Sequence, residues 1–191
     1  MPLNIPILLT WLRIILIPLL IAIYYVPEAW VPVARDPAAT VVFVVAAITD
    51  WLDGYLARRW QQTSAFGAFL DPVADKLMVA AALIMLVQLG RLDAILAAII
   101  IGREITISAL REWMAQIGAH RSVAVSMIGK IKTTAQMTAI PLLLYHAPLE
   151  GIDVPQAGTW LIYIAAVLTL WSMGYYMRMA WPHLIEEDRK R

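Results

Sequence analysis

The sequence predicts an all-α integral membrane protein of six transmembrane helices, with both termini in the cytoplasm. Three observations carry this expectation. Apolar residues make up 61% of the 191 and charged ones only 15%, with a mean hydropathy of +0.71, whereas soluble domains are about half apolar and a quarter charged. Six apolar stretches separated by polar links are each long enough to cross ~30 Å of hydrocarbon. The 15 Lys and Arg residues are unevenly placed: an up-and-down arrangement of six spans leaves Arg35 and Arg91 on one side and the other 13 on the opposite side. Positively charged links stay in the cytoplasm, so the 13-residue side, which holds both termini, is the cytoplasmic one. A chain of this length is expected to form a single domain, 1–191. It has no cysteine, which excludes disulfides, thiolate metal sites and cysteine nucleophiles.

The first span opens at Asn4 and Pro6 and stays apolar to about Val26. Arg13 lies inside it, no basic leader precedes it, and no small-x-small cleavage site follows, so it reads as a span and not as a signal peptide. A loop from Pro27 to Pro37 leads to the second span, about Pro37 to Ala57. A polar link, Arg58 to Phe66, precedes the third, about Gly67 to Leu89. Gly90-Arg91-Leu92-Asp93 is a tight-turn sequence before the fourth span, about Asp93 to Met114. The link Gln116 to Ser122 leads to the fifth, about Val123 to His146, where Pro141 predicts a kink. A loop at Pro148 to Gly158 precedes the sixth, about Thr159 to Ala180, and the charged tail Glu186 to Arg191 reads as solvated. Trp30, Trp160 and Trp181 fall where an interfacial aromatic belt is expected. His120, His146 and His183 lie near loops or in the tail, where solvation is the default.

The chemistry concentrates between Asp50 and Asp75. Asp50 and Asp53 are three residues apart, followed by Gly54, with Ala57 and Arg58 one turn later on the same broad helical face. Gly67, Asp71 and Asp75 then recur at intervals of four, again on one face. Two helices would thus aim two carboxylates each at a common point. Unpaired, the four would repel one another; divalent cations remove that cost, and hard oxygen donors suit Mg²⁺ or Mn²⁺. Structural salt bridges with Arg58, Arg59 and Lys76 are the competing explanation, which accounts for one or two pairs but not for four carboxylates at this spacing.

A second constellation is basic. Arg103 and Arg111, with Glu104 and Glu112, lie on the fourth span, and Lys130 and Lys132 near the start of the fifth. Ionisable residues inside spans are costly and usually functional, and Arg and Lys are phosphate binders. These four cations are candidates for a phosphate pocket, although Lys130 and Lys132 stand about 200° apart on an ideal helix. The bland alternative pairs them with Glu104 and Glu112 or has them snorkel to headgroups, and for Lys76 and Arg121 that alternative is preferred.

The spacing D-x2-D-G-x2-A-R-x8-G-x3-D-x3-D, filled by Asp50, Asp53, Gly54, Ala57, Arg58, Gly67, Asp71 and Asp75, resembles the signature of the CDP-alcohol phosphotransferase family. Eight fixed positions make this highly specific. Similarity extends along nearly the whole chain, through N-I-P-I-L-L-T-W-L-R, R-E-I-T-I-S-A-L-R-E-W-M-A and S-V-A-V-S-M-I-G-K-I-K-T-T-A-Q-M. It points to members that join CDP-diacylglycerol to sn-glycerol 3-phosphate with release of CMP. Ile7 departs from the pattern, since many relatives carry Asn there.

The resemblance implies two divalent ions, Mg²⁺ or Mn²⁺, held by Asp50, Asp53 and Asp71, with Asp75 ligating or adjacent and serving as general base. It implies that Asp50, Gly54, Ala57 and Arg58 contact CDP-diacylglycerol. Arg103, Arg111, Lys130 and Lys132 would take the acceptor's phosphate. A homodimer in the bacterial cytoplasmic membrane, among membrane lipids and with no nucleic acid partner, is also implied. The alternatives are a sibling using another acceptor, inositol phosphate or phosphatidylglycerol, and a cation transporter. The transporter is opposed by the absence of a visible inverted repeat or broken mid-membrane helix, and by carboxylates clustered at one membrane face.

Overall fold

A computed structural model describes residues 5–27, 34–60, 65–117, 127–149, 151 and 153–188. Among these residues the chain folds into six α-helices: α1 Ile5–Tyr25, α2 Arg35–Trp60, α3 Ala65–Gln88, α4 Ala94–Gln116, α5 Met127–Tyr145 and α6 Val154–Asp188. Each expected span corresponds to one helix. Three stretches, Ile7–Tyr25, Arg35–Leu56 and Val154–Pro182, are long and apolar enough to cross a membrane. The other three helices, α3, α4 and α5, are the ones that carry Asp71, Asp75 and Lys76, the Arg103 to Glu112 charges, and Lys130 and Lys132.

The turn between α3 and α4 forms as its sequence predicts. Gly90 has φ +70, a left-handed conformation suited to glycine, and Arg91 N donates to Leu86 O at 2.9 Å, closing the helix end. Asp93 then caps α4, its carboxylate accepting from Ile95 N at 2.7 Å. Pro141 lies inside α5, which continues through it to Tyr145.

The sixth helix departs from expectation at both ends. It begins at Val154, inside the anticipated 148–158 loop, because Asp153 acts as its cap and accepts from Gln156 N at 3.0 Å. Pro155, in the first turn, has no N–H to lose from the helix ladder. Gly158 is therefore not a break but a point of close approach: a Cβ there would lie 3.0 Å from Leu143 Cγ on α5. At the other end α6 runs through Pro182 to Asp188, so Glu186 to Asp188 are helical. Tail residues 189–191, the links at 61–64 and 118–126, His120, Arg121 and Trp30 lie outside the described residues. Trp160, Trp181 and His146 are exposed.

The core unites all six helices. Leu20 from α1, Phe43 from α2, Leu83 and Leu86 from α3, Ile100 from α4, Ile140 and Leu144 from α5 and Ile162 from α6 are buried in one cluster. A second, smaller cluster joins Ile107 and Met114 of α4 to Tyr176 and Ala180 of α6. The most extensive helix pairings are α5 with α6 and α1 with α2, and α1 also packs on α3. That last arrangement places α1 against both helices that carry the aspartates.

Candidate active site

The acidic stretch folds as two helices, with α2 continuous past Asp53 to Trp60 and α3 opening at Ala65. Asp50 and Asp53 project toward α1, where one side chain meets both. Arg13 Nη1 stands 2.6 Å from Asp50 Oδ1, and Arg13 Nη2 donates to Asp53 Oδ2. The contact with Asp50 is an ion pair whose alignment does not make it a hydrogen bond, and Arg13 Nε has no hydrogen-bond partner either. Arg13 is 1% exposed and Asp53 3%, whereas Asp50 is only half-buried. One turn before Arg13, Thr10 Oγ1 donates to Asp71 Oδ1 at 2.6 Å. Asp75 lines a small cavity together with Arg13, Asp50, Phe43, Ala46, Met78 and Met137.

Three predicted ligands are thus bound to α1, and the fourth shares a cavity with Asp50. Among the described residues the cation at the centre is Arg13 of α1, and neither Arg59 nor Lys76 of the stretch itself. Arg59 donates instead to Tyr55 Oη at 2.7 Å and lies over that ring. Among the described residues Arg13 is the one cation in ion-pair contact with these aspartates, and one guanidinium does not balance four carboxylates. The donor set, four hard oxygen groups with surplus negative charge, suits divalent ions. Asp50, Asp53 and Asp71 are turned to α1, and no three acidic or histidine groups among the described residues converge on one ion position. Gly54 follows Asp53 on α2; the side chains of Ala57 and Arg58 lie outside what the structure describes.

The basic residues organise around Glu104. Its Oε1 accepts from Arg103 Nη1 at 3.0 Å and from Lys132 Nζ, joining α4 to α5. Arg103 Nη2 also donates to Ser172 Oγ on α6 at 3.2 Å, and Ser172 Oγ donates on to Thr169 O at 3.0 Å. Arg103 and Lys132 are both buried. Pairing with glutamate, the alternative weighed from the sequence, therefore holds at these two positions. Arg111, about two turns further along α4, is exposed and lies 5.5 Å from the Tyr176 ring centroid. The Lys130 side chain lies outside the described residues.

An apolar groove of about 270 Å³ runs between α2 and α5, lined by Phe43, Val44, Ala47, Ile48, Trp51, Met137 and Pro141. Val44, Ile48 and Trp51 are exposed, while Phe43, Ala47 and Met137 also line the acidic cavity. An exposed apolar surface and the carboxylates therefore adjoin.

Sequence reasoning passed over Thr10, Ser172 and, except as a topology marker, Arg13. The signal was present at Arg13: it is the only charged residue in α1, and an isolated intramembrane charge requires a partner.

Comparisons with known proteins bear on the same residues. The family model for CDP-alcohol phosphatidyltransferase matches residues 3–171. A Yersinia enterocolitica protein named CDP-diacylglycerol–glycerol-3-phosphate 3-phosphatidyltransferase is 53% identical over 188 residues, covering 97% of this chain and 100% of its own length. Proteins of the same name from Salmonella choleraesuis and Escherichia coli K12 are each 51% identical over 189 residues, 98% of this chain and 100% of theirs. The family match spans the α1 contacts, the aspartate stretch and the Glu104 cluster, so the chain whose α2 and α3 carry this carboxylate spacing belongs to the CDP-alcohol phosphatidyltransferase family.

Proposed function

We propose that the protein transfers the phosphatidyl group of CDP-diacylglycerol to sn-glycerol 3-phosphate, giving phosphatidylglycerophosphate and CMP. The relatives with this name match over their full length. The observation that carries it in the fold is the meeting of the apolar groove with the acidic cavity at Phe43, Ala47 and Met137. A lipid nucleotide needs both: a dry path for acyl chains and a polar end for its diphosphate.

Asp50, Asp53 and Asp71, with Asp75, would hold two divalent ions, Mg²⁺ or Mn²⁺. When bound, these supply charge neutralisation for the diphosphate and the departing CMP. The chain's residues do the rest. Asp75, beside Asp50 in the cavity, takes the proton of the glycerol hydroxyl as its oxygen attacks the phosphorus that carries diacylglycerol. Gly54 and Ala57 leave room for the nucleotide against α2, and Arg58 donates to its diphosphate. Arg103, Arg111, Lys130 and Lys132 bind the acceptor's phosphate. For Arg103 and Lys132 this requires sharing with Glu104, which a dianionic ligand between two cations allows. Six spans, cytoplasmic termini, a homodimeric assembly and residence in the bacterial cytoplasmic membrane complete the proposal, with the acidic site reached from the cytoplasm.

The deciding experiment is CMP release from CDP-diacylglycerol by the purified protein with Mg²⁺, acceptors being added singly. Release that requires glycerol 3-phosphate and stops on chelation is expected. Release only with another acceptor would overturn the phosphate assignment, and none with any acceptor would overturn the enzyme itself.

A further inference from the structure

Helix α1 contributes nothing to the family's aspartate spacing, yet it touches three of the four carboxylates. Arg13 Nη1 meets Asp50 through Oδ1, Arg13 Nη2 meets Asp53 through Oδ2, and Thr10 Oγ1 meets Asp71 through Oδ1. Thr10 and Arg13 are three residues apart and so share one face of the helix. Both are 1% exposed. In each case α1 engages a single oxygen, and a carboxylate has two. Two roles are open to Arg13. It could stand in for a cation, neutralising an empty site and leaving when metal arrives. Alternatively it could be a fixed outer partner that aims the carboxylates.

The geometry favours the second. A guanidinium that stood in for the ions would pair with all four carboxylates. Among the described residues, however, Arg13 forms ion pairs with the α2 pair alone, sharing a cavity with Asp75 without an ion pair to it. Asp71 is held separately by a neutral hydroxyl that neutralises nothing. Both contacts come from one face of one helix, whose Leu16 and Leu20 anchor it in the core a turn and two turns further on. Carboxylate ligands are commonly held by outer partners, here hydrogen bonds to Asp53 and Asp71 and an ion pair to Asp50, and losing one typically weakens metal binding by about 10–100-fold. We infer that Thr10 and Arg13 are positioning residues, with which α1 fixes one oxygen of Asp50, Asp53 and Asp71 and presents the other to divalent cations. This rests on the assignment of those aspartates as metal ligands.

The test is Mn²⁺ affinity of the full-length protein in detergent micelles, read by the loss of free Mn²⁺ signal in electron paramagnetic resonance. Folding is checked in each sample by thermal melting. Arg13→Gln should bind Mn²⁺ about 10–100-fold more weakly than wild type. Arg13→Lys should remain at least about 10-fold weaker, because an ammonium keeps the charge but not the two-pronged reach. Thr10→Val, nearly isosteric, should lose about 10-fold and keeps the test open if the Arg13 variants do not fold. The sign is decisive: if Arg13 is a stand-in, removing it makes Mn²⁺ bind more tightly. Tighter or unchanged binding in Arg13→Gln and Thr10→Val, or full recovery in Arg13→Lys, would overturn the inference while leaving the aspartates as ligands. No Mn²⁺ binding by the wild type would overturn the metal assignment and the inference together.

Discussion

Two arginines tie this bundle together at opposite ends, and their surroundings differ in one respect. At the far end of α1, α2 and α3, Arg91 Nη2 donates to Asp36 Oδ2 at 2.7 Å and Arg91 Nη1 to Leu144 O at 2.8 Å. Tyr24 Oη donates to the other oxygen of Asp36 at 3.3 Å. One cation meets one anion, and the spare donor goes to a helix-end carbonyl on α5. About 20 Å along α2, counting 1.5 Å per residue, Arg13 faces Asp50 and Asp53 with Asp71 and Asp75 nearby. The first network is balanced and complete. The second has more negative charge than its described cation neutralises, and it keeps a buried guanidinium N–H without a partner. Unbalanced buried charge is expensive to maintain, and a fold keeps it where a ligand supplies the missing charge. The contrast separates a structural clamp from the candidate site without reference to either sequence motif.

The largest consequence falls at the unbalanced end. Asp75→Asn keeps the shape of the cavity lining but cannot accept a proton from the acceptor hydroxyl. Turnover should fall by about 10³-fold, within the range for loss of a general base. CDP-diacylglycerol binding, measured by equilibrium dialysis with labelled lipid in micelles, should hardly change. Near-normal turnover would remove Asp75 from the reaction. The balanced end should respond in the opposite way. Arg91→Met removes the donor to Asp36 Oδ2 and to the Leu144 carbonyl and should lower stability by roughly 1–3 kcal/mol. Turnover per folded molecule should stay near wild type. A thermal melt combined with an activity assay on the folded fraction checks both, and loss of activity without loss of stability would show that the two ends are coupled.

How far this contrast was legible in the sequence depends on the range of the interaction. Helix positions followed from apolar runs, and the aspartate faces from spacings of three and four, since both are local properties of a helix. The exact extent of α6 is not legible in this way, because residues 148–158 read as a loop that runs to Gly158. Its role is set by Leu143 on another helix, although the Asp153 cap and Pro155 were there to be seen. Partners across helices were the least legible. Arg59 lies nearer the aspartates in sequence than Arg13 does, yet Arg13 is the residue folded onto them. Glu104 was weighed as a partner of the basic residues, but its simultaneous grip on Arg103 and Lys132 depends on how α4 packs beside α5.

That grip makes the basic cluster an intermediate case between the clamp and the site. Lys130 lies two residues before the buried Lys132 on α5, so the same helix can give one cation to Glu104 and another to a ligand. Lys130→Ala should raise the KM for glycerol 3-phosphate by about 10-fold, corresponding to ~1.4 kcal/mol of lost binding. The KM for CDP-diacylglycerol should move much less. Steady-state kinetics varying each substrate in turn measures the split, and equal changes in both would argue against an acceptor pocket there.

The smallest effect is expected at Arg59, and it tests contact against proximity most directly. Arg59 lies within the acid-rich stretch, six residues after Asp53 and one after Arg58, and from sequence alone it is an obvious counter-ion. In the fold it is exposed and turns back along its own helix to Tyr55 Oη. Tyr55 in turn stacks on Trp51, with ring centroids 5.8 Å apart. Such a surface hydrogen bond and cation–π contact are solvated on their outer side, where substitutions usually stay within about 0.5 kcal/mol. Arg59→Ala should therefore leave the melting temperature nearly unchanged and change CMP release by no more than about twofold, the factor that such an energy corresponds to. A large loss of CMP release in Arg59→Ala would mean that the guanidinium leaves Tyr55 for the diphosphate during turnover. The acidic site would then draw its missing positive charge partly from α2 itself, and the division between clamp and site would have to include a residue that changes sides.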